Sequence, residues 1–140
     1  MKKLNLLFIS IIMFLSIKCY ANEMVPCMQF LKATPYAYVA DNKSGKTFLV
    51  VRHFFSNYTT ENYLFPNGKT SFGQSSVVPN QSICASSALY QGKMTQYATY
   101  NVYKKQAGYV VKVVYLNHQK QTLLVYPISV KQLILSLKAG

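Results

Sequence analysis

Residues 100–115, YNVYKKQAGYVVKVVY, are the stretch that decides the fold. A turn at 105–108 places residue 104 opposite 109, 102 opposite 111 and 100 opposite 113. Because side chains alternate between the two sides of a strand, one side of this pair is almost wholly apolar. It consists of Ala98, Tyr100, Val102, Tyr109, Val111, Val113 and Tyr115. We therefore predict an antiparallel hairpin whose tyrosine and valine side faces the core, with Asn101 opposite Lys112 on the other side.

The same rhythm recurs along the chain, where turn signals separate runs rich in Val, Tyr, Phe and Thr, as in antiparallel β proteins. Both sides of the run at 46–55 are mostly apolar, which indicates a central strand. Polar composition predicts loops at 56–61 and 73–82. After Pro66, the pair Asn67-Gly68 predicts a tight hairpin turn with positive φ at both central positions. The predicted strands are 36–40, 46–55, 63–65, 69–72, 83–90, 94–104, 109–116 and 121–126.

The two ends of this β region show helical signals. Pro26 favours a short helix over 27–32, which Pro35 would end. Near the C-terminus, Ser129 and Gln132 have the spacing of a capping box at the start of a helix over 130–138. The apolar stripe of that helix is Val130, Leu133, Ile134 and Leu137, although a final strand through Leu133, Leu135 and Leu137 is the competing interpretation.

The predicted fold class is therefore mainly β (α+β). We expect a single antiparallel sheet or a small β-sandwich built of hairpins, with a short C-terminal amphipathic helix packed on it.

The N-terminal residues 1–21 resemble a secretory signal peptide, with two lysines, an apolar run and small residues before the expected cleavage near Ala21. The apolar run is shorter than the roughly 20 residues of a membrane span, which disfavours an uncleaved anchor. Lipidation at Cys19 is disfavoured by Lys18, which does not fit a small-residue site. We expect one exported domain, residues 22–140, in the periplasm of a bacterium or outside the cell.

Two cysteines, Cys27 and Cys84, remain after cleavage. An even pair in an exported chain indicates a disulfide. The alternatives are a pair of free thiols or a metal site. A metal site is disfavoured because no histidine or acidic residue has zinc-site spacing relative to the cysteines, and we expect no metal or other cofactor.

The chain is strongly basic, with a formal net charge of +12 that falls to +9 when Lys2, Lys3 and Lys18 leave with the leader. Such a charge favours anionic partners. The single arginine among the basic residues makes sequence-specific nucleic-acid recognition unexpected. The turn with Lys104 and Lys105 and the turn with Lys120 are predicted to lie about 30 Å apart, which indicates scattered charge instead of one patch.

Catalytic motifs are absent from the sequence. Its three acidic residues leave little room for a carboxylate-based hydrolase or a carboxylate-rich metal site. His53 and His118 are the candidates for an acid–base pair, and nothing in the sequence brings them together.

The expected function is that of a small, basic, exported binding protein without a catalytic role. Its partner would be a protein or another macromolecule, or an anionic component or polymer of the cell envelope, with no stable membrane span after cleavage of the leader. The alternatives are a small secreted hydrolase or nuclease-like toxin using His53 and His118, and a structural subunit of a surface or secretion assembly. The candidate binding surface comprises Tyr58, Tyr63, Phe65, Lys104, Lys105 and Lys112.

Overall fold

The computed structural model describes residues 23–90 and 93–139. The signal peptide predicted at 1–21 and residues 91–92, between the predicted strands 83–90 and 94–104, lie outside these residues. No helix in the described ranges is long and apolar enough to cross a membrane. The elements are β1 Met24–Val25, α1 Cys27–Ala33, β2 Tyr36–Asp41, β3 Thr47–Phe54, β4 Tyr58–Leu64, β5 Thr70–Val77, β6 Cys84–Tyr90, β7 Lys93–Lys105, β8 Gly108–Tyr115, β9 Lys120–Pro127 and α2 Val130–Ala139.

The strands β2 to β9 form a closed antiparallel barrel. Each strand pairs with the next along the chain, and β9 pairs back onto β2 with Val39 opposite Val125. The predicted open sheet or sandwich is therefore wrong in its architecture, although the predicted β class is confirmed. Closure is favourable because it gives both outer strands a hydrogen-bonding partner, and eight strands surround an interior that side chains can nearly fill.

The hairpin of β7 and β8 has the register that the sequence predicts. Tyr100 lies opposite Val113, Val102 opposite Val111, and Lys104 opposite Tyr109. The inward residues of this hairpin are almost completely buried and belong to one core cluster: Ala98, Tyr100, Val102, Val111 and Val113. The strand β1 completes the wall beside the second half of β7, pairing Val25 with Val102.

Two segments predicted as loops belong instead to strands. Most of 56–61 lies in β4, and 73–77 lies in β5. The prediction failed because it assumed that polar residues are exposed to solvent. Thr59, Glu61 and Ser75 in fact point into the barrel and are at most 3% exposed.

The turn between β4 and β5 also differs from its prediction. The amide of Gly68 donates to the carbonyl of Phe65 (3.0 Å), so Pro66 and Asn67 are the central residues. Gly68 follows them with φ 84°, and the glycine is thus the only residue of the turn with positive φ. Proline cannot adopt positive φ but suits the first central position, which explains the shift from the expected turn by one residue.

The two ends of the barrel are different. We call the end covered by α1 the plug end; the β3–β4, β5–β6 and β7–β8 connections lie there. We call the opposite end the mouth; it contains the β2–β3, β4–β5 and β8–β9 turns and the first residue of β7. On α1, Phe30 and Leu31 are at most 1% exposed, so this helix fills the plug end with apolar side chains.

The C-terminal helix α2 forms as predicted, and the alternative of a final strand is wrong. Its capping box is confirmed: the Gln132 amide donates to the Ser129 hydroxyl (3.1 Å), and the Ser129 amide donates to the Gln132 side chain (2.8 Å). The predicted packing holds only in part, because Leu133 is buried while Val130, Ile134 and Leu137 are about half exposed.

Candidate binding cavity

The barrel encloses a cavity of about 300 Å³. Phe30 and Arg52 border it toward the plug end, and Phe65 and Gln121 border it toward the mouth. The lining residues Phe65 and Ser71 at the mouth are exposed, whereas Phe30 and Arg52 at the plug end are buried, so the cavity opens toward the mouth. An eight-stranded barrel is about wide enough to hold one small ligand, and this volume agrees with that expectation.

Aromatic side chains form much of the cavity wall. Phe48 packs edge-on against Tyr63 with ring centroids 5.8 Å apart, and lies 5.3 Å from the ring of Phe65. On the opposite wall, Tyr97 and Tyr115 stack at 6.4 Å. Such walls offer a large apolar contact area, with phenol hydroxyl groups as hydrogen-bonding points.

The position of Tyr63 depends on a glycine across the sheet. A Cβ atom on Gly73 would lie 2.9 Å from both the ring and the hydroxyl of Tyr63. Gly73 therefore leaves the space that lets this tyrosine lie flat against the inner wall, a case of a strand glycine permitting close approach.

A buried ion pair lies deeper in the barrel. Arg52 on β3 is directly opposite Glu61 on β4, and their side chains are 4% and 3% exposed. The hydroxyl of Ser75 donates to the Glu61 carboxylate, and it shares a second hydrogen bond of 2.8 Å with the hydroxyl of Tyr100. A buried charge pair is tolerated only when such additional bonds satisfy it.

Arg52 also connects the barrel wall to α1. Its Nε donates to the carbonyl of Thr34 (2.9 Å) and to the hydroxyl of Thr34 (3.2 Å), just after the helix ends. Its guanidinium lies 5.3 Å from the centroid of the Phe30 ring, within cation–π range. The ion pair thus holds the plug in place as well as bordering the cavity.

Burial changes the titration of the inner groups. It lowers the pKa of Arg52, an effect that the nearby phenols of Tyr100 and Tyr63 oppose. The ordinary pKa of arginine is so high that the guanidinium group stays charged despite this decrease. Burial raises the pKa of both Tyr63 and Tyr100 above the ordinary value of 10.0, while the charge of Arg52 partly offsets this rise. Both phenols are therefore neutral hydrogen-bonding groups at neutral pH.

A disulfide fixes the start of α1 to the barrel. Cys27 and Cys84 are bonded, with Cα atoms 5.2 Å apart, as predicted. The bridge closes a loop with a sequence separation of 57. In the chain-entropy model such a loop stabilises the fold by about 4 kcal/mol.

Five of the eleven lysines in the described ranges lie at the mouth, while others lie at the plug end and on the outer wall. Lys104 and Lys120 do lie at opposite ends, but alternate turns of a meander share one end. The mouth lysines, all exposed, are Lys43, Lys46, Lys69, Lys93 and Lys120. The acid nearest to them, Asp41, accepts bonds from the amide of Lys43 (2.9 Å) and from Gln121 (3.1 Å), which lower its pKa in that order.

The predicted binding surface is brought together only in part. Tyr63 and Phe65 both line the cavity. Tyr58 stacks on Phe55 at the plug end, 4.9 Å between ring centroids. Each remaining residue is a lysine outside the cavity: Lys104 and Lys105 at the β7–β8 turn, and Lys112 on the outer wall over Tyr103.

The two histidines are far apart in the fold. His53 lies near the plug end of β3, on the outer face and exposed, whereas His118 lies in the β8–β9 turn at the mouth. In the described ranges no group of three or more His, Cys, Asp or Glu side chains is placed to hold a metal ion.

Sequence reasoning missed the ion pair and the grouping of five turn lysines at one end of the barrel. Period-two alternation puts Arg52 on the same side of its strand as Phe48 and Val50, so its inward position is visible in the sequence. Glu61 was assigned to a loop, although Thr59, Glu61 and Tyr63 alternate in a run of strand-favouring residues. Comparison with protein-family models, with curated proteins and with solved structures finds no match for this chain.

Proposed function

We propose that this chain is an exported binding protein without a catalytic role, and that its ligand is a small amphipathic anion of the cell envelope. The apolar part of the ligand enters the barrel, and its anionic group stays among the mouth lysines. The observation that supports this proposal most directly is an aromatic-walled cavity that reaches solvent at the lysine-rich end.

The size and lining of the cavity limit the ligand. A volume of about 300 Å³ is at the lower end of the range for ligand pockets, which favours a short acyl chain or one or two aromatic rings. The cavity walls offer aromatic and aliphatic surface, with Ser71 and Gln121 among the polar groups near the mouth.

The charges inside the barrel direct the anionic group outward. Glu61 already neutralises Arg52, Ser75 donates to the Glu61 carboxylate, and Thr34 accepts from Nε of Arg52. An anion placed beside Glu61 would lose its hydration and meet a like charge. At the mouth, five exposed lysines attract an anion that remains hydrated.

The test uses an aromatic sulfonate, 8-anilinonaphthalene-1-sulfonate, as the probe with purified mature protein. Ala98 is 1% exposed and lines the cavity, so Ala98→Phe places a ring inside it. Thr99→Phe adds the same ring on the outer face of the same strand. We expect the parent and Thr99→Phe to bind one probe each, and Ala98→Phe to bind it at least tenfold more weakly.

Far-UV circular dichroism and thermal unfolding of both variants show whether the barrel is intact. Equal binding by all three proteins, or equal loss in both variants, would contradict ligand binding inside the barrel. Raising the salt concentration should weaken binding several-fold without abolishing it, since buried apolar contacts are not screened.

A further inference from the structure

The mouth combines lysines with exposed apolar side chains. Leu116, in the β8–β9 turn, is 64% exposed, and Phe65, the residue after β4, is 38% exposed. Leu137 of α2 is 50% exposed and lines a surface groove together with the β4–β5 turn. Apolar side chains from three separate elements thus lie at the same end of the barrel as the five mouth lysines.

Charge at this end is almost entirely of one sign. The chain has three acidic residues in all: Glu61 is buried in the barrel, and Glu23 precedes β1 next to Lys104 of the plug end. Asp41 remains near the mouth, with its carboxylate bound to Gln121 and to the amide of Lys43. The mouth therefore presents a net positive surface with apolar side chains between the charges.

We infer that the mouth docks on the surface of an anionic lipid bilayer. Lysines near such a surface are attracted to its phosphates, and exposed Leu and Phe side chains gain free energy by entering the interface between headgroups and acyl chains. A protein partner fits less well, because the centre of a protein–protein interface is depleted in lysine. Sequence-specific recognition of a nucleic acid favours exposed arginine side chains, and the one arginine of the chain is buried.

This inference does not require a ligand inside the barrel. In the docked orientation the opening of the cavity faces the lipid, so an amphipathic anion would pass from the bilayer into the barrel without crossing water. Docking and ligand binding are nevertheless separate properties. Ala98→Phe, which fills the cavity, should leave bilayer binding unchanged, so failure of one proposal is distinguishable from failure of the other.

The charge test compares two triple variants with the same change in net charge. Lys43→Gln, Lys69→Gln and Lys120→Gln remove charge at the mouth. Lys32→Gln, Lys105→Gln and Lys131→Gln remove it from exposed positions at or near the plug end. Binding is measured by co-sedimentation with extruded vesicles of phosphatidylglycerol and phosphatidylcholine, and with vesicles of phosphatidylcholine alone.

We expect the parent to bind the phosphatidylglycerol vesicles and not the neutral ones. Each lysine near an anionic surface is worth about a fivefold change in affinity, so the mouth variant should lose on the order of 100-fold. The plug-end variant should lose less than about threefold. Equal losses in the two variants, or no sedimentation of the parent, would overturn the inference.

A second test compares the contribution of an exposed apolar side chain at the mouth with that of one on the outer face of α2. Leu116→Ser changes a turn side chain of the mouth, and Leu135→Ser changes a side chain of α2 that is similarly exposed, at 57%. We expect Leu116→Ser to weaken vesicle binding several-fold and Leu135→Ser to leave it unchanged. The opposite result would assign docking to the face of α2 and overturn the inference, and so would equal binding by both variants and the parent.

Discussion

At the scale of single residues, the ion pair of Arg52 and Glu61 is the feature most sensitive to change. Both side chains are almost fully buried, so each charge depends on the other for compensation. Removing one partner leaves an uncompensated charge in the interior, whereas removing both leaves none. The pair therefore contributes little net stability as a unit but makes every single substitution costly.

Glu61→Gln keeps the size of the side chain and removes its charge. We expect the free energy of unfolding to fall by about 3–5 kcal/mol, because Arg52 stays buried without a counter-charge. Urea unfolding followed by far-UV circular dichroism measures this change. The double variant Arg52→Met, Glu61→Leu should recover part of the loss, and a Glu61→Gln protein within about 1 kcal/mol of the parent would show that the charge of Glu61 is not needed.

At the scale of elements, two turns have the same backbone geometry with different residues. In the β4–β5 turn, Gly68 has φ 84°, and in the β8–β9 turn, His118 has φ 68°. In both, the side chain of the preceding asparagine accepts from the amide of the residue after the positive-φ position: Asn67 from Lys69 at 2.9 Å, and Asn117 from Gln119 at 3.1 Å. Positive φ is strained for residues with a Cβ atom, so the second turn stores strain that the first does not.

Reciprocal substitutions test this difference. His118→Gly should raise the free energy of unfolding by about 0.5–1 kcal/mol, and Gly68→Ala should lower it by about 1 kcal/mol, since a Cβ atom at Gly68 meets no other atom within 4 Å and only φ is unfavourable. Urea midpoints at constant slope give both values. Changes of the same sign in the two variants would contradict the strain argument.

The secondary-structure elements were largely predictable from the sequence, and the errors in predicting them have a common cause. All eight barrel strands were recognised at least in part, because alternation and turn residues are local signals. The β7–β8 register followed from the length of one turn. The errors fell on β4 and β5, where Glu61 and Ser75 face inward, because local polarity does not reveal a buried partner 14 residues away.

At the scale of the whole molecule, closure of the barrel could not be predicted. It depends on pairing β2 with β9, where Ala37 meets Pro127 and Asp41 meets Leu123. No local pattern specifies which strand edges meet after eight strands, since that depends on twist and on the register accumulated around the sheet. The cavity follows from closure and was missed with it.

Closure also determines how the molecule responds to alkaline pH. The barrel buries Tyr100 and partly buries Tyr63, and loss of hydration raises the pKa of both phenols above the ordinary value of 10.0. Above pH 10 the unfolded chain releases these two protons while the folded barrel keeps them. The unfolded state then binds fewer protons than the folded state, so the free energy of unfolding falls as pH rises.

The expected slope is about 1.4 kcal/mol per pH unit for each buried phenol, beginning near pH 10, with the stabilising contribution fully present below that value. Urea unfolding at intervals between pH 8 and 11 measures it. Tyr63→Phe removes one of the two phenols. Its free energy of unfolding, expressed relative to its own value at pH 8, should therefore fall less between pH 10 and 11 than that of the parent. An unchanged slope in Tyr63→Phe would contradict the raised pKa of this phenol and show that Tyr63 is fully hydrated in the folded barrel.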